Sequence, residues 1–476
     1  MNFNAVNLSL VQRSHALDDL AQLGGQLQRF VFVETMGCQM NVYDTERMFE
    51  VLGKDGYAPT DDVARADLVL LNTCSIRDKV EHKVVSALGA LRKLKEHNPD
   101  LVLGVTGCVA QQEGDKLLGK VPHLDLVLGP DQIPQLPEVV RRIRDERVRV
   151  TETELTHRKQ YDFPAAEAPS DGRVTSFVTV MKGCNKVCAF CIVPFTRGRE
   201  VSKPSAQVLD EVRMLVDAGV REVTLLGQNV NSYGKDRPSE VDFAQLLAQV
   251  AAIDGLHRIR FTTSHPMDCS DALIDQFAHN PKLVPFFHLP IQAGSARVLE
   301  AMRRHHRVDD YLDKIDRLRA MVPEIALSTD IIVGFPGETE AEFEETLALL
   351  QRVRYATIFS FMYSARPGTR AAELDDDVPL AEKKRRLLAV QTLQDGITRD
   401  WMRGFRGREV EVLFEGLASR ETDGPPQVMG RLPENVKVNV PVQRAEDLAD
   451  WKGRLGRVRI ERVHPHSLTG ELVALL

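Results

Sequence analysis

The sequence predicts a multidomain α/β chain with three parts: a parallel α/β sheet domain, a partial (β/α)6 barrel and a small antiparallel β-barrel. Three observations predict it. Short apolar runs alternate with helical patterns from residue 29 to about 150, and the alternation restarts at residue 174 and runs through six units. The last seventy or so residues switch to period-two patterning broken by Gly and Pro. Strands alternating with helices call for parallel sheets, and short alternating strands between turns call for a small barrel. At 476 residues the chain also exceeds what one hydrophobic core supports.

Residues 1–28 are polar, with one weakly helical patch, and read as an extension. "FVFVET", "ADLVLLNT", "LVLGVTG" and "LDLVLGP" read as the strands of a domain over 29–150, with helices such as "SIRDKVEHKVVSALGALRKLKEHN" between them. Residues 151–173 form a linker, because "LTHRKQYDFPAAEAPSDGR" has charge, Ala and Pro without periodicity. The core over 174–402 takes its strands from "SFVTVM", "REVTLLGQ", "RIRFTTS", "FFHLPIQ", "IALSTDIIVGF" and "ATIFSFMYS". Its helices include "SAQVLDEVRMLVDAG", "FAQLLAQVAAI", "YLDKIDRLRAMV" and "EAEFEETLALLQRV", the last behind a Thr339-x-x-Glu342 capping box. Six such units make a partial TIM-like barrel, open on one side. A charged helix over 379–402 ends it, and "EVEVLFEGLA", "VKVNVPV" and "GRVRIERVHPHSLTGELV" supply the β-domain over 403–473.

Net charge is -7, so any nucleic-acid binding must come from a local patch. The N-terminus has no charged region followed by an apolar run, and no stretch of about 18 apolar residues occurs. A cytoplasmic protein is expected. Seven cysteines, an odd number, then argue for metal ligation or catalysis over disulfides.

Cys38, Cys74 and Cys108 lie 36 and 34 residues apart, and each follows a strand of the first sheet. Strand C-termini share the ligand-binding edge of a parallel sheet. The three should converge into a three-thiolate metal site; the plainer reading is three unrelated core cysteines. Cys184, Cys188 and Cys191 lie together in "MKGCNKVCAFCIVPFTRGRE". Structural zinc needs a fourth ligand, and no His or Cys follows closely. A redox Cys-x2-Cys pair leaves Cys184 unexplained. A [4Fe–4S] cluster with one open iron fits better.

Cys-x3-Cys-x2-Cys after the first strand of a six-unit partial barrel, with Phe190 before the last cysteine, resembles the radical S-adenosylmethionine (SAM) superfamily. That resemblance implies SAM on the open iron and a 5′-deoxyadenosyl radical from its cleavage. It also implies SAM contacts from the loops around Phe190, Gln228, Gln292 and Gly334. Read without it, these loops carry turn glycines and polar residues at a barrel edge. The three-cysteine domain in front and the β-domain behind narrow the resemblance to the methylthiotransferases. "RFTTSHP" and "LLGQNVNSYG" look most like the MiaB-like branch acting on tRNA. The resemblance implies a second [4Fe–4S] cluster on Cys38, Cys74 and Cys108, and methylthiolation of carbon 2 of N6-(dimethylallyl)adenosine next to the anticodon. It further implies a reductant such as a flavodoxin or ferredoxin, a sulfur donor and a monomer. The same chemistry on N6-threonylcarbamoyladenosine or a ribosomal-protein aspartate is the second reading. A non-enzymatic, metal-stabilised RNA-binding protein is the third.

The last domain resembles a TRAM barrel, an RNA-binding fold. "WKGRLGRVRIER" places Lys452, Arg454, Arg457, Arg459 and Arg462 close together, with Arg457 and Arg459 on one strand face. Such a stripe neutralises phosphates; the alternative is a solvated edge strand. Arg197 and Arg199 are further candidates for anticodon-arm phosphates, or for local ion pairs. Cys269 reads as a spectator, His305 and His306 as surface groups, and the methionines as core filler. No side chain stands out as a general acid or base.

Overall fold

The computed structural model describes residues 29–75, 80–156, 163, 166–418, 425–442 and 448–476. The extension at 1–28, the helix start at 76–79 and the middle of the linker lie outside them. The chain divides into two compact units. One comprises the residues up to Asp171 with Lys182–Asn185 and Ile192–Lys203; the other comprises Gly172–Met181, Lys186–Cys191 and Pro204–Leu476.

The first unit runs β1 (Arg29–Thr35), α1 (Gln39–Lys54), β2 (Tyr57–Pro59), β3 (Leu68–Thr73), α2 (Val80–His97), β4 (Val102–Gly107), α3 (Cys108–Glu113), α4 (Asp115–Lys120), β5 (Leu126–Leu128), α5 (Leu136–Glu146) and β6 (Val150–Glu152). Its six strands pair in the order β2-β1-β3-β4-β5-β6, all parallel. Every residue of β3 and β4 is buried. A parallel sheet covered on both faces must be apolar on both, so these strands read as unbroken apolar runs. Leu68, Leu70, Leu126 and Leu128 pack with Met48 and Leu52 of α1 and Val140 of α5. Leu71, Val105 and Val127 pack with Val84 and Leu88 of α2. The sheet takes in residues 150–152, so two positions expected in the linker are its edge strand. The two-residue strands β8 (Met181–Lys182) and β9 (Val201–Ser202) and the four-residue α6 (Val193–Thr196) flank the compact cysteine triplet.

The second unit holds β7 (Thr175–Thr179), α7 (Ser205–Asp217), β10 (Glu222–Leu226), α8 (Phe243–Ala251), β11 (Arg258–Phe261), α9 (Asp271–His279), β12 (Phe286–His288), α10 (Ala296–Ala301), α11 (Val308–Met321), β13 (Ala326–Val333), α12 (Glu340–Val353), β14 (Thr357–Met362) and α13 (Leu380–Arg403). Strands β7, β10 and β11 form one parallel ladder, and β12, β13 and β14 another. A parallel bridge between Ile259 and Leu283 joins them. Among the described residues no ladder joins β7 to β14, which leaves the expected open side. The Thr339–Glu342 capping box at the start of α12 is present.

Strands β15 (Glu409–Leu417), β16 (Gln427–Arg431), β17 (Lys437–Pro441), β18 (Leu455–Val463) and β19 (Ser467–Leu475) close a barrel in the order β15-β16-β17-β19-β18, with α14 (Leu448–Trp451) in the long connection. Met402 of α13 and Phe405 just beyond that helix pack in its core. The barrel docks where β10 and β11 begin. Arg260 donates to Glu222 at 2.6 Å and to the carbonyls of Leu432 and Pro433, and Arg258 donates to the Arg431 carbonyl at 2.7 Å. No helix among the described residues is long and apolar enough to cross a membrane.

Candidate functional site

In the first unit, Cys38 is the N-cap of α1, Cys74 directly follows β3, and Cys108 directly follows β4 as the first residue of α3. Two buried asparagines brace this edge. Asn41 donates to Asn72 Oδ1 at 2.9 Å and to the Thr73 carbonyl at 3.0 Å, and Asn72 donates to the Asn41 carbonyl at 2.8 Å. Cys38 Sγ donates to Asn41 Oδ1 at 3.3 Å. The residue before Cys108 must be glycine: Gly107 has φ +85°, and a Cβ there would lie 2.3 Å from the Thr73 carbonyl oxygen. A hydrogen bond with Cys74, reinforced by the charge of Arg197 and opposed by burial, lowers the Cys38 pKa to about 6. Thiolate is the form that ligates iron, so an acidic thiol here suits a cluster.

Arg197 is no RNA contact but makes the local ion pair that was its alternative: its side chain is 7% exposed and paired at 2.6 Å with Asp44 of α1. Its charge faces Cys108 and Cys38. A second buried pair joins Lys182 to Asp131 at 2.5 Å. Asp131 also accepts from the amide of Thr156. Arg199 is exposed.

The residue before Cys184 is again a constrained glycine: Gly183 has φ +73°, and a Cβ would lie 2.0 Å from the Arg199 carbonyl oxygen. The Cys184 amide donates to the Gly198 carbonyl at 3.1 Å. In the second unit, the Ala189 amide donates to Met302 at 2.8 Å, and the Ala371 amide donates to Ala189 at 2.9 Å. Arg304 donates to Cys188 Sγ at 3.3 Å and to the Pro290 carbonyl at 2.6 Å. Lys186, between the first two cysteines, pairs at 2.8 Å with Asp268. Asp268 also takes Lys235 at 2.6 Å and Asn229 at 2.8 Å, and these bonds hold its pKa below the usual range despite burial.

No three described His, Cys, Asp or Glu side chains are arranged to hold one metal ion. Thiolates of a four-iron cluster each take a different iron and stand further apart than ligands of a single ion.

The four loop residues named as SAM contacts all follow parallel strands of the second unit. Phe190 is half-buried and packs on the barrel core, and Gln228 is half-buried after β10. Gln292 is buried with φ +84°; its amide donates to the Asp330 carbonyl, and its own carbonyl accepts from Ile332. The Gly334 amide donates to Glu338 at 2.5 Å.

Sequence reading missed a second layer of polar groups here. His288 bonds Ser328 at 3.0 Å and lies 3.5 Å from Asp330, whose pKa burial raises. His305 is exposed as expected, but His306 is half-buried. Its ring stands edge-on to buried His265, with centroids 5.8 Å apart. Burial first, then the charge of Arg304, lowers its pKa to about 4. No spacing motif announces these groups; only the meeting of strand ends does. Cys269 is buried, and burial raises its thiol to about 11, in keeping with a spectator.

In the C-terminal barrel, β18 alternates buried and exposed, so Arg457 and Arg459 do share the outer face. Arg459 pairs with Glu409 at 2.8 Å. Arg454 and Arg462 are exposed, and Lys452 is half-buried. Beside them opens a cleft of about 800 Å³, lined by Arg399, Arg403 and Arg406 of α13 and by Arg462, His464 and His466, with Asp395 and Glu461 its acids. The cleft was not foreseen, because α13 and the β18–β19 turn lie far apart in sequence.

Residues 30–129 match the uncharacterized protein family UPF0004, residues 178–350 the radical SAM superfamily, and residues 403–473 the TRAM domain. A radical SAM methyltransferase, TsrM from Kitasatospora setae, has a similar fold, with a TM-score of 0.54 at 14% identity over 73% of this chain and 77% of its own. The fold and the family matches thus define a radical SAM protein with a second cysteine-bearing domain and a C-terminal TRAM barrel. Much nearer in sequence is a tRNA-2-methylthio-N(6)-dimethylallyladenosine synthase of Myxococcus xanthus, 51% identical over 94% of each chain. That of Geobacter metallireducens is 50% identical over 94% of this chain and 98% of its own. The chain belongs to the tRNA-2-methylthio-N(6)-dimethylallyladenosine synthase family.

Proposed function

We propose that the protein replaces the hydrogen on carbon 2 of N6-(dimethylallyl)adenosine in tRNA, next to the anticodon, with a methylthio group. The observation that carries this is the pairing of two three-cysteine sets, each at the strand ends of a parallel sheet, in a chain about half identical to enzymes named for that product. Cys184, Cys188 and Cys191 would hold the cluster that binds SAM; Cys38, Cys74 and Cys108 would hold the second. When bound, SAM and the two [4Fe–4S] clusters supply the radical chemistry, the sulfur and the methyl group.

The chain's own residues bind, orient and exclude water. Arg304 fixes the Cys188 sulfur, and the Lys186–Asp268 pair pins the loop between ligands. Phe190, Gln228, Gln292 and Gly334 line the loops that would receive SAM. Arg199, Lys452, Arg454, Arg457 and Arg459, with the cleft beside α13, would take phosphates of the anticodon arm; base identity would be read elsewhere. The same reading places the domains at 29–150, 174–402 and 403–473. It makes the protein a cytoplasmic monomer served by a flavodoxin or ferredoxin and a sulfur donor.

The test is anaerobic reconstitution with iron and sulfide, then incubation with SAM, reductant and isopentenylated tRNA. The expected result is two clusters, 5′-deoxyadenosine, and a nucleoside heavier by one sulfur and one CH2. Modification of threonylcarbamoyladenosine or of an aspartate instead would move the substrate. Iron-free protein without SAM cleavage would sink the enzymatic reading.

A further inference from the structure

Of the two roles expected for Arg197, RNA contact or local ion pair, the buried pair with Asp44 is the second. Two helices of the first unit begin at ligand positions, α1 behind Cys38 and α3 at Cys108. Asp44 lies on α1, and α6, which ends one residue before Arg197, packs on α3. The guanidinium is thereby wedged beside the edge that carries the three scattered thiols, and both Cys38 and Cys108 feel its charge. Both partners are less than a tenth exposed. A buried unpaired charge is costly, so the pair is fixed in place.

We infer that Arg197 is a positioning and tuning residue for the second cluster, held at its setting by Asp44. Three thiolates and an iron–sulfide core carry negative charge, and one-electron reduction adds another. A fixed cation beside the ligands stabilises the reduced form and raises the reduction potential; the partner carboxylate tempers that effect. Because Arg197 lies six residues beyond Cys191, the segment that completes one ligand set also supplies the cation of the other.

This inference rests on the reading that Cys38, Cys74 and Cys108 hold a cluster, and the experiment separates the two. Reconstituted full-length protein is titrated electrochemically and followed by electron paramagnetic resonance. The component whose spectrum SAM does not alter is assigned to the second cluster. Arg197→Gln should shift its midpoint to more negative potential and leave the SAM-responsive component in place. Asp44→Asn should shift it the other way, and the double variant should return towards the wild type. If Arg197→Gln loses the second cluster, Arg197→Lys should restore both the iron and the midpoint. An unmoved midpoint in Arg197→Gln, shifts of the same sign in both single variants, or no rescue by lysine would overturn the inference. A wild-type protein with no second cluster would overturn the cluster assignment and this inference together.

Discussion

The two cysteine sets solve one problem in opposite ways. Cys184, Cys188 and Cys191 are close in sequence, so one loop would build the proposed ligand set. Cys38, Cys74 and Cys108 are close because β1, β3 and β4 are neighbours in one parallel sheet. The compact set is a property of sequence, and the scattered set a property of fold. Yet two of the cysteines sit behind the same device: Gly107 and Gly183 each hold positive φ against a neighbouring carbonyl that a side chain would strike. Sharp backbone turns aim both Cys108 and Cys184.

The largest effects are expected at the six cysteines proposed as ligands. Alanine at Cys184, Cys188 or Cys191 should abolish 5′-deoxyadenosine formation, whereas alanine at Cys38, Cys74 or Cys108 should spare it and stop methylthio transfer. Product analysis of the six variants reads this directly. Identical outcomes from both sets would erase the division between them.

Gly107→Ala and Gly183→Ala come next. Each introduces a clash with backbone, which cannot swing aside, plus strain of about 1–3 kcal/mol at positive φ. Gly107→Ala should cost the second cluster first, and Gly183→Ala the SAM-binding one. Iron and sulfide counts with SAM-cleavage assays distinguish them, and wild-type loading in either variant would mean the loop tolerates the shift.

A smaller effect separates the sites by pH. His306 stands near the compact set, with Arg304 and Lys314 opposing its protonation, and Asp310 and the Arg304 carbonyl favouring it. Its folded pKa of about 4 lies below the ordinary 6.5. The unfolded state therefore binds more protons in that interval. Stability from this group is present above about pH 6.5 and lost as pH falls towards 4. Denaturant unfolding at pH 7 and pH 5 should show a smaller loss for His306→Asn than for wild type. Equal losses would mean the ring titrates normally.

How far the sequence could be read follows the same contrast. The compact triplet was visible by spacing, and the scattered one through the rule that parallel strands end on one edge. Long strands were legible because full burial forces apolar runs. The three-residue strands β2, "YAP", and β6, "VTE", carry too few positions for any period, and β16, "QVMGR", holds a glycine. The place of Arg197 depends on how α1, α3 and α6 pack, which no linear pattern encodes. His306 was misjudged for the same reason: its partner His265 is 41 residues away.

The smallest effect tests whether the basic stripe, legible as a pattern, acts as one. Arg457 and Arg459 share the outer face of β18 but differ in their neighbours. Arg459 must release Glu409 before it can meet a phosphate, and an exposed pair of this kind is worth about 0–1 kcal/mol. Arg457 faces Glu411 across the ladder, but that carboxylate accepts from Arg258 at 2.9 Å. Arg457→Gln should weaken tRNA binding and lower the slope of log K against log salt by about 1. Arg459→Gln should do less, and Glu409→Gln should tighten binding slightly by releasing its arginine. Binding measured across a potassium chloride series decides it. Equal losses from the two arginines, or none from either, would mean that β18 presents an ordinary solvated face and that the phosphates meet the cleft beside α13 instead.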